Sequence, residues 1–250
     1  MAKSRVASEA NIYHVMARGT GKQIIYESKN DRVVFLRMLR HAIKTHKAEL
    51  YAWCLMQNHF HLLIHGNLED LSQCMRELCG NYAQWFNKRA GRVGHLFQER
   101  YKSEPIDDEA YLLTVIRYIH ENPKKADICA TSHYEWSSYR EYVNHAELCN
   151  TSYALDILGG VESFKEFHKQ SHESLERIDR DEARQRIRLL SEDAVVQEAK
   201  RLLGDITLAQ VKSLPKRERN ALLHKLKLEG FTVRQIERLT GIGRSIVSRA

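Results

Sequence analysis

Hydrophobic and polar positions along the chain recur with two periods, and the switch between them marks the elements. Residues 12–17, IYHVMA, read as a short strand. RGTGKQ follows as a glycine-rich turn; it lacks the spacing and the Ser/Thr of a phosphate-binding loop. Val34, Phe35, Met38, Leu39, Ala42 and Ile43 then keep helical spacing behind Asn30 or Asp31, either of which can cap the helix. Two strands come next, Glu49–Leu55 and His59–His65, joined by MQN. An amphipathic helix runs from about Leu68 to Lys88, and HLFQERYKSEPI, residues 95–106, reads as a strand ending at Pro105. A third helix starts near Asp107 and stops before Pro123, which restricts Asn122. The order β-α-β-β-α-β-α predicts an α+β fold, a ferredoxin-like antiparallel sheet with helices on one face. Three regions are expected: a domain over residues 1–150, a helical linker over 151–190 and an all-α domain over 191–250.

The second strand of that pair, HFHLLIH, carries polar residues where alternation allows them. Residues i and i+2 of a strand share a face. His59, His61 and His65 therefore point one way, and Phe60, Leu62 and Ile64 the other, toward helices. Two imidazoles on one face can hold a metal ion or grip a phosphate. A pair of hydrogen-bonded structural histidines fits the same spacing, so a partner elsewhere in the chain has to decide.

The third helix supplies one. Leu112, Val115, Ile116 and Ile119 form its apolar stripe, and Tyr111, Tyr118 and Asn122 fall on a flank beside it. Tyr118 and Asn122, four residues apart, can look at one site next to the sheet; an ordinary half-buried tyrosine fits the pattern too. A phenol is a competent nucleophile toward a phosphodiester when charge on the phosphate is stabilised. A divalent ion held by two imidazoles and an amide oxygen, with positions left open, supplies that stabilisation. Such mixed ligands suit Mg²⁺ or Mn²⁺ and would also admit Zn²⁺.

Composition narrows the partners. The chain has 250 residues and a net charge of +7, unevenly spread: residues 1–150 carry +3, residues 151–199 −4 and residues 200–250 +8. A basic final segment suits a polyanion, most simply nucleic acid. The apolar runs fall short of a membrane span, so no membrane is expected as a partner. Five cysteines without a CxxC pair argue against a disulfide framework and fit the cytoplasm.

His59-Phe60-His61 resembles the His-hydrophobic-His motif of HUH endonucleases, and YIHENP resembles the catalytic helix of the single-tyrosine transposases. YHVMARG, WCLMQNHFHLLI, LFQERYKSEPIDDEAYLLTVIRYIHENPKKAD and WSSYREY follow the pattern of the REP-associated tyrosine transposases over residues 10–145. The resemblance implies a metal-dependent enzyme that cleaves single-stranded DNA beside a hairpin. Tyr118 would attack the phosphate, form a 5′-phosphotyrosine and release a 3′-OH, and a later 3′-OH would rejoin the strand. It implies His59, His61 and Asn122 as ligands of Mg²⁺ or Mn²⁺. One tyrosine per site implies a monomer working sequentially or a homodimer, in a cytoplasmic, nucleoid-associated protein. Tyr111 and Tyr101 are the rival nucleophiles. Glu99, Arg100 and Lys102 lie on or near the preceding strand, where Arg100 and Lys102 can meet the DNA backbone.

The basic tail, FTVRQIERLTGIGRSIVSRA, has the layout of a helix-turn-helix. Ile236, Leu239 and Val247 face inward, and Gly241 allows the turn. Arg244, Ser245, Ser248 and Arg249 are then exposed and can reach phosphates or base edges. Residues 192–203 and 216–228 would be its supporting helices, and the segment resembles the accessory DNA-binding domain of some members of the family. Glu237 departs from the pattern, standing where such motifs carry a small residue. Two other readings compete: a non-catalytic DNA-binding regulator that keeps the fold, and a hydrolase using a histidine-bound metal. The regulator needs neither His-x-His nor Tyr-x-x-x-Asn. The hydrolase lacks an Asp or Glu ligand near the pair.

Overall fold

A computed structural model of the protein describes residues 6–169, Ile187 and residues 191–250. The chain divides into two compact units, Met1–Ser171 and His172–Ala250.

The first unit is built on four strands: β1 (Ile12–Arg18), β2 (Glu49–Leu55), β3 (His59–His65) and β4 (Lys102–Ile106). Their order across the sheet is β2-β3-β1-β4, and every neighbouring pair is antiparallel. Helices α1 (Lys29–Thr45) and α2 (Leu68–Ala90) cover one face. There Tyr13, Val15, Leu50, Trp53, Phe60, Leu62 and Ile64 pack against Phe35, Leu39, Leu78, Tyr82 and Phe86. Each fully buried side chain of this size contributes about 1.5–3 kcal/mol. The expected α+β, ferredoxin-like sheet is what the chain forms, with α1 and α2 on their one face. Helix α3 (Glu109–Lys125) adds a layer on the opposite face, against β2, β3 and β4.

Three local expectations change. Helix α1 is capped by Ser28 rather than by Asn30 or Asp31. Ser28 accepts from the Asp31 backbone N–H, and the Asp31 carboxylate accepts in return from the Ser28 N–H, so Asp31 completes a capping box. Strand β4 begins at Lys102, not at residue 95. Residues 95–101 instead wrap the end of β1: the Thr20 and Gln98 N–H groups donate to the Leu96 and Arg18 carbonyls at 3.0 and 2.9 Å. Pro105 falls on an edge strand, where only one side of the strand carries a ladder and prolines are tolerated. Helix α3 continues past Pro123 to Lys125. The proline lies in the last turn, where it forfeits one backbone bond rather than interrupting a long helix.

Residues 152–169 of the expected linker form two helices, α5 (Ser152–Leu158) and α6 (Val161–Lys169), after the short α4 (Tyr139–Val143). Phe164 of α6 stacks on Tyr142 of α4, with centroids 4.6 Å apart, and Phe167 covers the buried Arg117 guanidinium of α3 at 4.2 Å. The rest of that segment, residues 170–190 apart from Ile187, lies outside the described residues. In the second unit are α7 (Glu192–Leu203), α8 (Lys216–Leu228), α9 (Val233–Thr240) and α10 (Arg244–Arg249). Val195, Leu203, Leu223, Leu226, Ile236 and Val247 form its core. Gly241 closes α9 in the left-handed region, at φ 67°. Among the described residues no helix is long and apolar enough to cross a membrane.

Candidate active site

The face of the sheet beneath α3 collects the polar groups that the first face excludes. Antiparallel register sets which side chains meet there. His61 stands opposite Met16 on one side and Cys54 on the other, and His14 stands opposite Leu63 and Glu104. His14 and His61 are stacked, centroids 5.2 Å apart, with His14 Nε2 3.0 Å from His61 Nδ1. The Tyr118 ring stands edge-on to both, 5.8 Å from His14 and 5.6 Å from His61. Tyr118 is almost fully buried, and the Lys125 ammonium lies over its ring at 4.1 Å.

Two hydrogen bonds select which imidazole nitrogens face the centre. His59 uses Nδ1 toward the side-chain Oδ1 of Asn58, at 2.7 Å, and His61 uses Nδ1 toward His14. Nε2 is thereby the other nitrogen of each ring, and the Asn122 side chain hydrogen-bonds the His59 ring as well. A partner on the second nitrogen that fixes ring and tautomer is the usual support of a metal-binding histidine. Asn122 completes the set. Its amide Nδ2 donates to the Tyr118 backbone carbonyl at 2.9 Å, and the side chain hydrogen-bonds His59.

Electrostatics keep the rings neutral. Burial lowers His14 to about 4. Burial also lowers His59 to about 3; the Arg18 charge adds to that, and the Asn122 hydrogen bond opposes it. Burial, with His59, His14 and Arg18 around it, holds His61 well below the usual range. At neutral pH their lone pairs are not protonated, as metal ligation requires. Among the described residues no group of three or more His, Cys, Asp or Glu is arranged to hold a metal. A cation here would need Asn122 beside the two histidines, and an N/O set with open positions fits a divalent ion taking phosphate and water as further ligands.

The rival tyrosines are engaged elsewhere. Tyr101 packs with the α1–α2 core, its hydroxyl 3.3 Å from Ser72 Oγ of α2. The Tyr111 hydroxyl donates to Glu104 at 2.8 Å. His65 shares the face but stacks on Tyr51, centroids 5.8 Å apart, rather than joining the cluster. Lys102, opposite Met16, lies on the site face, whereas Arg100 and Glu99 are exposed in the loop before β4. Arg244, Ser245, Ser248 and Arg249 are exposed on α10. Glu237 ties α9 to α10 by accepting from Arg244 Nε at 2.6 Å, so the departure from the small-residue pattern supplies an ion pair.

Behind α3 lies a second buried imidazole pair. His120 Nδ1 is 3.1 Å from His168 Nε2 of α6, and His120 Nε2 is 2.8 Å from Ser138 Oγ. Burial lowers both, His168 to about 4.

Sequence patterns alone missed His14, Lys125 and Arg18. His14 was visible as a lone imidazole in IYHVMA, on the parity opposite Tyr13 and Val15. Only the β1–β3 register brings it to His61.

Residues 7–122 match the model of a family described as transposase, IS200 like. The match lies within the first unit and covers a little under half of the chain. The enzyme class expected from the sequence, a tyrosine transposase, stands with it. A structure of a REP-associated tyrosine transposase bound to a REP hairpin is similar over 57% of this chain and 85% of its own, with 20% identity and a TM-score of 0.42. A protein from Deinococcus radiodurans R1 described as a transposase is similar over 48% of this chain and 97% of its own, with 19% identity and a TM-score of 0.33. At such TM-scores neither adds to what the family match gives. No curated protein matches.

Proposed function

We propose that this transposase is a divalent-metal-dependent single-stranded DNA endonuclease and strand transferase that cuts beside a hairpin with Tyr118 as nucleophile. The observation that carries the reading is the meeting of Tyr118 and Asn122 of α3 with His59 and His61 of β3 over one sheet face. Tyr118 Oη attacks the phosphorus, the phenol gives up its proton, and the bond to the 3′ oxygen breaks. A 5′-phosphotyrosine and a 3′-OH result. Because the linkage is an ester exchanged for an ester, a second 3′-OH can reverse the step and join a new strand without ATP. His59, His61 and Asn122 would hold Mg²⁺ or Mn²⁺, which when bound supplies Lewis-acid stabilisation of the phosphate oxygens. His14 orients His61, and Lys125 places a positive charge beside the ring where negative charge builds.

Arg100 and Lys102 meet the backbone of the strand. In the +8 segment, α9 and α10 act as a helix-turn-helix that presents Arg244, Ser245, Ser248 and Arg249 to DNA. The protein works on DNA in the cytoplasm, associated with the nucleoid, as a monomer or homodimer. A nuclease domain over 1–150, a linker to 190 and a DNA-binding domain over 191–250 remain the working division for these roles.

Incubation with hairpins from the DNA flanking its gene, with Mn²⁺ or Mg²⁺, tests the reading. A denaturant-resistant adduct that needs the metal and vanishes in His59→Ala/His61→Ala is the expected result. Tight binding without an adduct in either metal would favour the non-catalytic regulator.

A further inference from the structure

Helices α1 and α2 pack side by side over the first face of the sheet, and near the end of α1 they share a polar cluster. His41 lies on α1, His46 is the residue that closes it, and Glu77 lies on α2. His46 Nε2 is 2.7 Å from Glu77 Oε2, and His41 Nε2 is 3.5 Å from Glu77 Oε1. Two imidazoles thus turn the same ring nitrogen to one carboxylate, each to its own oxygen. The His46 and Glu77 side chains are 16% and 26% exposed and hold each other in place, whereas His41 is 72% exposed. As they stand the three make polar contacts rather than a closed chelate. The step between the two arrangements is short. Donor atoms that share a tetrahedral ion, with bonds of about 2.0–2.1 Å, lie roughly 3.3–3.4 Å apart. The His41 contact already has nearly that length. The His46 contact has to open by roughly 0.6 Å, and the exposed His41 ring can turn to close the third side.

We propose that His41, His46 and Glu77 together bind Zn²⁺, with water in the fourth position, on the side of the sheet away from the candidate active site. Two imidazoles and one carboxylate, with one position left to water, are a donor set that Zn²⁺ takes. Mg²⁺ requires an octahedron of oxygens and is poorly served by it. Among first-row divalent ions the same set holds Zn²⁺ well above Mn²⁺. The Glu77 carboxylate also carries the negative charge that the Asn122 amide lacks, so the ion is held here without a phosphate ligand. Half-buried His46 and Glu77 are already oriented, and exposed His41 leaves the ion a path from solvent. Binding displaces whatever protons the imidazoles share with the carboxylate. A bound ion joins the end of α1 to the middle of α2 and so stabilises the layer over the first face. It takes no part in cleavage, and the site stands whether or not the polar face is a nuclease centre.

Zinc titration of the full-length protein, followed by heteronuclear NMR of the imidazole ring nitrogens, tests the site. The His41 and His46 signals are assigned through His41→Asn and His46→Asn. Zn²⁺ should move both Nε2 signals together and saturably, and Mg²⁺ at a large excess should move neither. Glu77→Gln should weaken the response by at least about tenfold, the least that loss of even a supporting partner costs a metal site. His41→Asn removes an exposed side chain, so the urea midpoint without zinc should stay where it is. With zinc, the midpoint should rise more in the unsubstituted protein than in His41→Asn. The site is overturned if the two rings do not respond together, if Glu77→Gln leaves the affinity unchanged, or if Mg²⁺ acts as Zn²⁺ does. A response of His59 and His61 alone would confine metal binding to the polar face and overturn it as well. Because each ring is read separately and no cleavage is needed, failure of adduct formation would count against the nuclease reading and leave this result standing.

Discussion

The two faces of the sheet are made from the same strands and obey opposite rules. On β3, Phe60, Leu62 and Ile64 are wholly buried against α1 and α2. One residue out of step, His59 and His61 face α3 together with His14 and Tyr118. The first face gains stability from area removed from water. The second buries imidazoles whose charged forms burial disfavours, and it satisfies them by pairing one with another or with Asn58 and Asn122. A protein selected for stability alone would gain more from apolar side chains there. Four polar rings and an amide gathered beneath one helix are what make this face the one to which the proposed chemistry is assigned.

The contrast can be broken in graded ways. The largest effect belongs to Tyr118→Phe, which should lower adduct formation on the order of 10⁴-fold or more while leaving the urea midpoint almost unchanged. Phe60→Ala should do the reverse: a loss of about 3–5 kcal/mol in urea unfolding, with adduct yield per folded molecule kept.

Acid should attack the α3 layer through the pair behind it. His168 is lowered to about 4 from the usual 6.5, so the unfolded chain binds the extra proton between those values. The stability deficit is absent above pH 6.5 and grows as pH falls toward 4. It should reach about 2 kcal/mol at pH 5 for this group, with His120 acting in the same direction. Urea titrations at pH 7 and pH 5, repeated in His168→Gln, check the slope; equal stability at both values would refute it.

His14→Gln should leave the fold intact and cost about 10–100-fold in metal-dependent activity, the range of lost support to a ligand histidine. The smallest effect is on the first face's helix: Ser28→Ala should cost about 0.5–2 kcal/mol and leave activity per folded molecule unaltered.

How much of this could be read in the sequence follows from the same contrast. Alternation in HFHLLIH and helical spacing from Val34 to Ile43 are local patterns, and both predicted the buried positions of the first face. Tyr118 and Asn122 were legible because i and i+4 share a helix flank. His14 was not, because its partner is 47 residues away and only strand register joins them. The complete burial of α3 from Leu112 to Glu121 was hidden as well. Its outer side reads as polar in the sequence, and Arg117 and His120 become buried because Phe164, Phe167 and His168 return from α6 to cover them. Pro123 misled because a proline in a last turn costs little. The long strand expected over 95–106 failed because tertiary bonds to Arg18 and Thr20 claimed its first half.

Tyr118 is the nucleophile proposed for the polar face. Tryptic digestion of a metal-dependent hairpin adduct, followed by mass spectrometry, tests it directly. Cleavage after Arg117 and Lys124 isolates Tyr118 on the peptide YIHENPK, while Tyr111 falls on SEPIDDEAYLLTVIR and Tyr101 on YK. The account predicts the nucleotide mass on YIHENPK alone. The same mass on either of the other peptides would contradict it.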